Sequence, residues 1–289
     1  MVNAFIQKVL RRTSIGAAAI TLAGCTGDEA PEAASQATPD DLHAYVLDCG
    51  YSEGSFAWLS GEGRFEGHEG RLANPCFLIR HPDGDMLWEV GLPASLYADG
   101  PQETDIATIG VDEPLIPQMA RLGVAPDDID VLAVSHYHID HAGQPEAAGD
   151  ATWLVHRADY DVVMGEEPPE HAADLAPLRA LNAEVFEGER DVFGDGRVRI
   201  VPAPGHTPGH AVLFLDLPET GPVILSGDLW HRAASRAQRT VPAYNASREE
   251  TLASMDRVEA LLEETGARLV IQHEEADYAA LPKPPEAMR

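Results

Sequence analysis

The chain has 289 residues, of which 44% are hydrophobic, enough to build a sizeable core in one large domain or two small ones. Its 20 Lys and Arg against 48 Asp and Glu leave a formal net charge of −28. A surface this acidic repels phosphate backbones, which argues against nucleic acid as a partner and fits solubility or adaptation to high salt.

Lys8, Arg11 and Arg12 form a positive start, and Ile15 to Ala23 is a short apolar run, the layout of an export signal. The run is too short to remain in a bilayer as a spanning helix. It ends in Leu22-Ala23-Gly24-Cys25, which resembles the lipobox of bacterial lipoproteins. That resemblance implies cleavage after residue 24, acylation of Cys25, and attachment at the cell envelope on the periplasmic side or at the outer membrane. An ordinary cleaved signal, giving a secreted protein, is the alternative. Arg11-Arg12 also resembles a twin-arginine signal, so the export route stays open. Residues 25–41 are small, polar and acidic, which predicts a flexible tether, and membrane contact only through the lipid. A single globular domain is expected over residues 42–289.

Strand-like apolar runs follow in two groups. Ala44–Leu47, Cys76–Arg80, Met86–Val90, Val131–Ser135 and Thr152–Val155 form the first; Val198–Val201, Ala211–Leu215, Val223–Ser226 and Leu269–Gln272 form the second. Between the first two runs, the Gly-rich stretch 51–72 carries Phe56, Trp58 and Phe65. It reads as a long loop or extended hairpin, whose aromatics either cover an apolar substrate or pack on the body. Cys49 and Cys76 could pair in an oxidising compartment, but both sit in apolar strand-like segments, which favours buried free thiols. Ser247 can cap a helix that keeps Leu252, Met255, Val258 and Leu261/Leu262 on one face and stops at Gly266. Strand groups with helices outside them suggest an α/β sandwich layered αββα.

The chemistry concentrates where strands end. After Val131–Val134 comes Ser135-His136-Tyr137-His138-Ile139-Asp140-His141, three imidazoles and a carboxylate within seven residues. Imidazole and carboxylate are the ligands that zinc takes at catalytic sites, and four such groups buried without a metal would each need another partner. Three further candidates follow strands in the same way. His206 lies in Pro204-Gly205-His206-Thr207-Pro208-Gly209-His210, Asp228 follows Val223–Ser226, and His273 follows Leu269–Gln272. A rigid sheet can fix all of them.

This pattern, H-x-H-x-D-H followed by His, Asp and His, resembles the metallo-β-lactamase superfamily over residues 42–280. The resemblance implies the four-layer αββα fold and two divalent metal ions, with zinc favoured by the ligands. It places His136, His138 and His206 on the first ion, Asp140, His141 and His273 on the second, and Asp228 between them. His210 then supports the ligand loop instead of binding metal. Leu47-Asp48-Cys49-Gly50, Asn74-Pro75-Cys76-Phe77-Leu78-Ile79, Ser226-Gly227-Asp228-Leu229-Trp230-His231 and Ile271-Gln272-His273 look like exported N-acyl-homoserine lactonases, the quorum-quenching branch. That branch implies lactone opening by a hydroxide bridging the metals, with Asp140 passing a proton to the leaving oxygen. The best-known members carry Tyr where His231 stands, three residues after the bridging Asp. His231 is therefore expected either to donate to the carbonyl or merely to line the pocket. An acyl chain could lie against Phe56, Trp58, Phe65 or Trp230. Hydrolysis of other carboxylic esters, aryl esters or phosphotriesters fits the same ligands. A zinc-binding surface lipoprotein is the non-enzymatic alternative, but the chain lacks the His-rich tracts that would favour it. The oligomeric state stays open, a homodimer included.

Overall fold

The computed structural model describes residues 42–167, 169, 171–172 and 174–289. The export signal, the lipobox-like Cys25 and the tether lie outside these residues. Eight strands make the first sheet: β1 (His43–Ser55), β2 (Glu69–His81), β3 (Gly84–Trp88), β4 (Gln102–Glu103), β5 (Ala107–Gly110), β6 (Val131–Ala133), β7 (Thr152–His156) and β8 (Asn182–Phe186). Their order across the sheet is β4-β5-β1-β2-β3-β6-β7-β8, with β3, β6, β7 and β8 running parallel. Five strands make the second sheet: β9 (Arg190–Asp191), β10 (Val198–Pro202), β11 (Ala211–Leu217), β12 (Gly221–Leu225) and β13 (Arg268–Val270). Their order is β13-β12-β11-β10-β9.

Side-chain alternation along the strands sorts the layers. Val46, Phe77, Ile79, Met86, Trp88 and Leu154 of the first sheet meet Val198, Ile200, Leu213, Leu215, Val223 and Leu225 of the second in one core. The residues between them in sequence point the other way. Leu47, Leu78, Leu87, Trp153 and Val155 pack on Leu115, Met119, Val163 and Leu178, which lie on short helices outside the first sheet. On the outer face of the second sheet, Val212, Phe214 and Ile224 meet Met255, Val258 and Leu262 of the helix Arg248–Thr265. That helix is set as its sequence predicts. The Ser247 hydroxyl accepts from Glu250 N at 3.2 Å, and Gly266 closes the helix with φ 67. The result is helix, sheet, sheet, helix, and all nine predicted strands form.

The stretch 51–72 resolves into an extended hairpin. β1 continues to Ser55 and pairs back with β2 from Tyr51↔Ala73 to Ser55↔Glu69. Phe56 and Phe65 bury themselves with Leu59 and Leu72 in a small separate core, so for these two the packing role holds. Strands β4, β5, β8 and β9 went unread because they are short and partly polar, with no apolar alternation to announce them.

Cys49 and Cys76 form a disulfide, which corrects the expectation of free thiols. The cause is register: Leu47 faces Cys76, and an irregularity between Asp48 and Tyr51 carries Cys49 alongside it. A Cβ on Gly91 (φ 64) would stand 2.2 Å from Cys49 Cβ, so only glycine lets the chain after β3 pass this close. The bond closes a separation of 27 residues, for which chain entropy gives about 3 to 4 kcal/mol. Replacing both cysteines with Ser should therefore lower unfolding free energy in guanidinium titrations by roughly that amount; unchanged stability would refute it.

Candidate metal centre

Four segments reach one end of the sandwich. The first leaves β6 as Ser135–His141, and the others are the turn between β10 and β11, the end of β12 and the end of β13. They bring His136, His138, His206 and Asp228 into one group, and Asp140, His141 and His273 into a second, each with its donor atoms within 4.8 Å. Asp228 belongs to both. Its Oδ1 lies 2.8 Å from His273 Nε2 and 3.2 Å from His141 Nε2, while its Oδ2 lies 3.1 Å from His206 Nε2. All seven predicted ligands therefore converge, and the carboxylate expected to bridge has one oxygen toward each group.

The imidazoles are oriented from behind. His206 Nδ1 donates to Asn245 Oδ1 at 3.0 Å, and His273 Nδ1 donates to Ala73 O at 2.7 Å. His141 Nδ1 faces Glu89 Oε1 at 3.2 Å, and His136 Nδ1 faces Ser135 Oγ at 3.0 Å. With protons held on those outer nitrogens, lone pairs point inward. His136 Nε2, His138 Nδ1 and His206 Nε2 then stand 2.8 to 3.1 Å from one another. Asp228 Oδ1 is buried without a hydrogen-bond partner among the described residues. Converging lone pairs and an orphaned carboxylate oxygen are what divalent cations satisfy, so this donor set fits two of them.

The electrostatics of the chain alone say the same. Burial disfavours a charge on His136, and the neighbouring imidazoles add to that, holding its pKa well below the usual value. Burial also opposes charge on His141, but Glu89, Asp140 and Asp228 outweigh it and hold that group well above. Burial would raise Asp228, yet His231, His273, His141 and His206 together drive it well below the carboxylate range. Against burial, Asp228 and Asp140 lift His273 above its usual value, so without cations the buried anion draws protons toward His141 and His273, and cations binding there would take their place.

Three supports were not legible in sequence. Glu89, with φ 67, accepts from Ser135 N and Gln272 Nε2, both at 3.2 Å, besides facing His141. A buried carboxylate in a left-handed backbone marks strain at a site. Asp159 accepts from Thr207 Oγ1 at 2.8 Å and Gly209 N at 2.6 Å, fixing the His206 turn; burial lifts its pKa to about 7. Asn74 Nδ2 donates to Asp140 O at 2.6 Å. His210 behaves as expected, since it is fully buried and supports the backbone. Its Nδ1 donates to Ala203 O, and its Nε2 accepts from Asp228 N, both at 2.9 Å.

A cavity of about 420 Å³ opens over the centre. His138, Asp140, Asp228 and His273 form its floor, and Leu72, Leu92, Ile106, Ile109 and Ile139 supply apolar wall. Of the aromatics expected there, Trp58 lines it. Phe56, Phe65 and Trp230 do not; the first two fill the small core above, and Trp230 is buried against the helix Arg248–Thr265. Burial took these rings because each already had an apolar neighbourhood nearby. His231 and Tyr244 also face the cavity, with Tyr244 partly buried and its phenol raised well above the usual range by burial, then by Asp228 and Asp140.

Asn245 holds the proton that leaves the His206 inner nitrogen free, so Asn245→Ala should weaken divalent-metal binding about 10- to 100-fold. Competition against a chromophoric chelator measures it, and wild-type affinity in the variant would exclude this role.

Residues 70–273 match the family described as the metallo-beta-lactamase superfamily. The N-acyl homoserine lactonase AttM of Azorhizobium caulinodans is 29% identical over 228 residues, spanning 73% of this chain and 85% of that protein. The N-acyl homoserine lactonase AiiA of Bacillus thuringiensis subsp. kurstaki is 26% identical over 209 residues, 69% and 80% of the two chains. Among solved structures, an N-acyl homoserine lactone hydrolase with N-hexanoyl-L-homoserine at its catalytic metal centre superposes with a TM-score of 0.75. It is 22% identical, with 86% of this chain and all of that chain covered. AidC, a dizinc quorum-quenching lactonase, gives 0.62 at 16% identity, covering 82% and 88%.

Proposed function

Because the chain belongs to the metallo-β-lactamase superfamily of hydrolases, we propose that it opens the lactone ring of N-acyl-homoserine lactones. The observation carrying this reading is the set of seven donors around Asp228, at the floor of a largely apolar cavity. The lactonases among its relatives support the same substrate class.

His136, His138 and His206 would hold one ion, Asp140, His141 and His273 the other, with Asp228 between them; zinc suits these ligands. When bound, such ions polarise an ester carbonyl and acidify water. The remaining work falls to the chain. Asp140 lies at the cavity floor with a third of its side chain exposed, so its carboxylate can accept the proton that the attacking water gives up and pass it to the ring oxygen as the C–O bond breaks. The apolar wall accepts an acyl chain and excludes water around the reacting ester. Water is added across the ester, and the product is the open-chain N-acyl-homoserine.

The test is turnover of an N-acyl-homoserine lactone panel by residues 26–289, with and without chelator, alongside Asp228→Ala. The expected result is chelator-sensitive hydrolysis that falls at least a hundredfold in the variant, roughly the loss of an essential electrostatic group. A folded, metal-loaded sample inert to every lactone would redirect the assignment to aryl esters or phosphotriesters.

The enzyme's place is the cell envelope, through acylated Cys25. The Cys49–Cys76 disulfide supports export, since such bonds persist in oxidising compartments. Expressed at full length, Cys25→Ser should move the protein from the membrane fraction to the soluble one; an unchanged distribution would rule out the anchor.

A further inference from the structure

His231 stands where a donor to the substrate carbonyl was expected, but its inward nitrogen is engaged. His231 Nε2 lies 3.1 Å from Asp228 Oδ2. His206 sits equally near this oxygen but spends its proton on Asn245 through Nδ1, whereas His231 Nδ1 has no partner among the described residues, so the His231 ring proton is satisfied on Nε2 by Asp228 Oδ2. The Tyr244 hydroxyl lies 3.3 Å from the same Nε2. A nitrogen already bearing a proton offers no lone pair, so the phenol cannot donate to it and meets it only through its oxygen. The hydrogen-bond network gives the phenol no other partner among the described residues, so its O–H is available to the cavity it lines.

We propose that Tyr244 is a catalytic residue, the donor to the ester carbonyl oxygen as charge develops there, and that His231 is a positioning residue holding Asp228 and the phenol in place. The assignment rests on the hydrolytic reading above. The ring is fixed for the task. Trp58 packs against both partners, 5.3 Å from the His231 ring and 5.8 Å from the Tyr244 ring between centroids. The His206 ring lies 5.6 Å from that of Tyr244 on another side, so the hydroxyl stays beside the ligand group. Asn245, which orients His206, follows directly in the chain, so one short segment sets both a metal-ligand tautomer and the proposed donor. A neutral phenol suits this place because it donates without adding a second fixed charge beside Asp228.

The experiment compares wild type with Tyr244→Phe in kcat and KM on lactones, in metal content, and in calorimetric affinity for a cyclic phosphonate that mimics the tetrahedral adduct. The expected result is a fall in kcat of about a hundredfold with KM little changed. Phosphonate affinity should drop by a similar factor, with metal content kept and affinity for the open-chain product unaltered. Equal kcat and equal phosphonate affinity in a metal-loaded variant would overturn the assignment. Should Tyr244→Phe lose metal or fold poorly, 3-fluorotyrosine at position 244 keeps the shape and changes only donor acidity. A shift in kcat and phosphonate affinity then supports the role, and no shift overturns it. Wild type inert to every ester would bring down the hydrolytic reading, and this assignment with it; an active wild type matched by Tyr244→Phe brings down the assignment alone.

Discussion

The Asp228 carboxylate is buried at the end of β12 with imidazoles on both sides, and the architecture around it exists to keep it there at tolerable cost. A desolvated anion is expensive unless its surroundings return what water gave. Here the return comes from both sheets, since His136 and His141 leave the first and His206, His231 and His273 the second. The two layers must therefore be locked at this end, and hydrogen bonds crossing between them do so. Trp88 Nε1 donates to Gln272 Oε1 at 3.2 Å, Gln272 Nε2 donates to Glu89 Oε1 at 3.2 Å, and Ala211 N donates to Ser135 O at 3.0 Å. Glu89 links that lock to His141, so sheet packing and ligand orientation are one network.

The seven candidate ligands were legible because each follows an apolar run, and runs of buried strand are what a sequence displays best. The fold was legible for the same reason: alternation along β1, β2, β3, β11 and β12 assigns each side chain to a layer. What failed to show in sequence was contact between segments far apart. Asp159 looks like an ordinary helix residue until the His206 turn, about fifty positions later, is laid over it. The disulfide depended on a register irregularity that composition does not reveal. Phe56, Phe65 and Trp230 were read as pocket walls because aromatic residues near a site suggest ligand contact, yet the apolar surface around each had already claimed it. Tyr244 sits in a connection with no periodicity, and only its approach to His231 gives it meaning.

The strong acidity of the chain and the character of its cavity are separate matters. The −28 formal charge is a property of the whole sequence, whereas the cavity walls are chiefly apolar, with Asp105 the carboxylate among them and Asp140 and Asp228 at the floor. A neutral, partly apolar small molecule can therefore enter without opposing the overall field, while polyanions are held off by it.

Ligands drawn from both sheets also tie ion retention to the integrity of the sandwich. The longest ligand run on one segment is His136 to His141; the others join it only after β10 to β13 have docked through the shared core. Such closure joins segments far apart in sequence, so it is lost whenever the layers part. An ion bound by donors from both sheets would be released whenever they part, so its retention would report that the sandwich is closed.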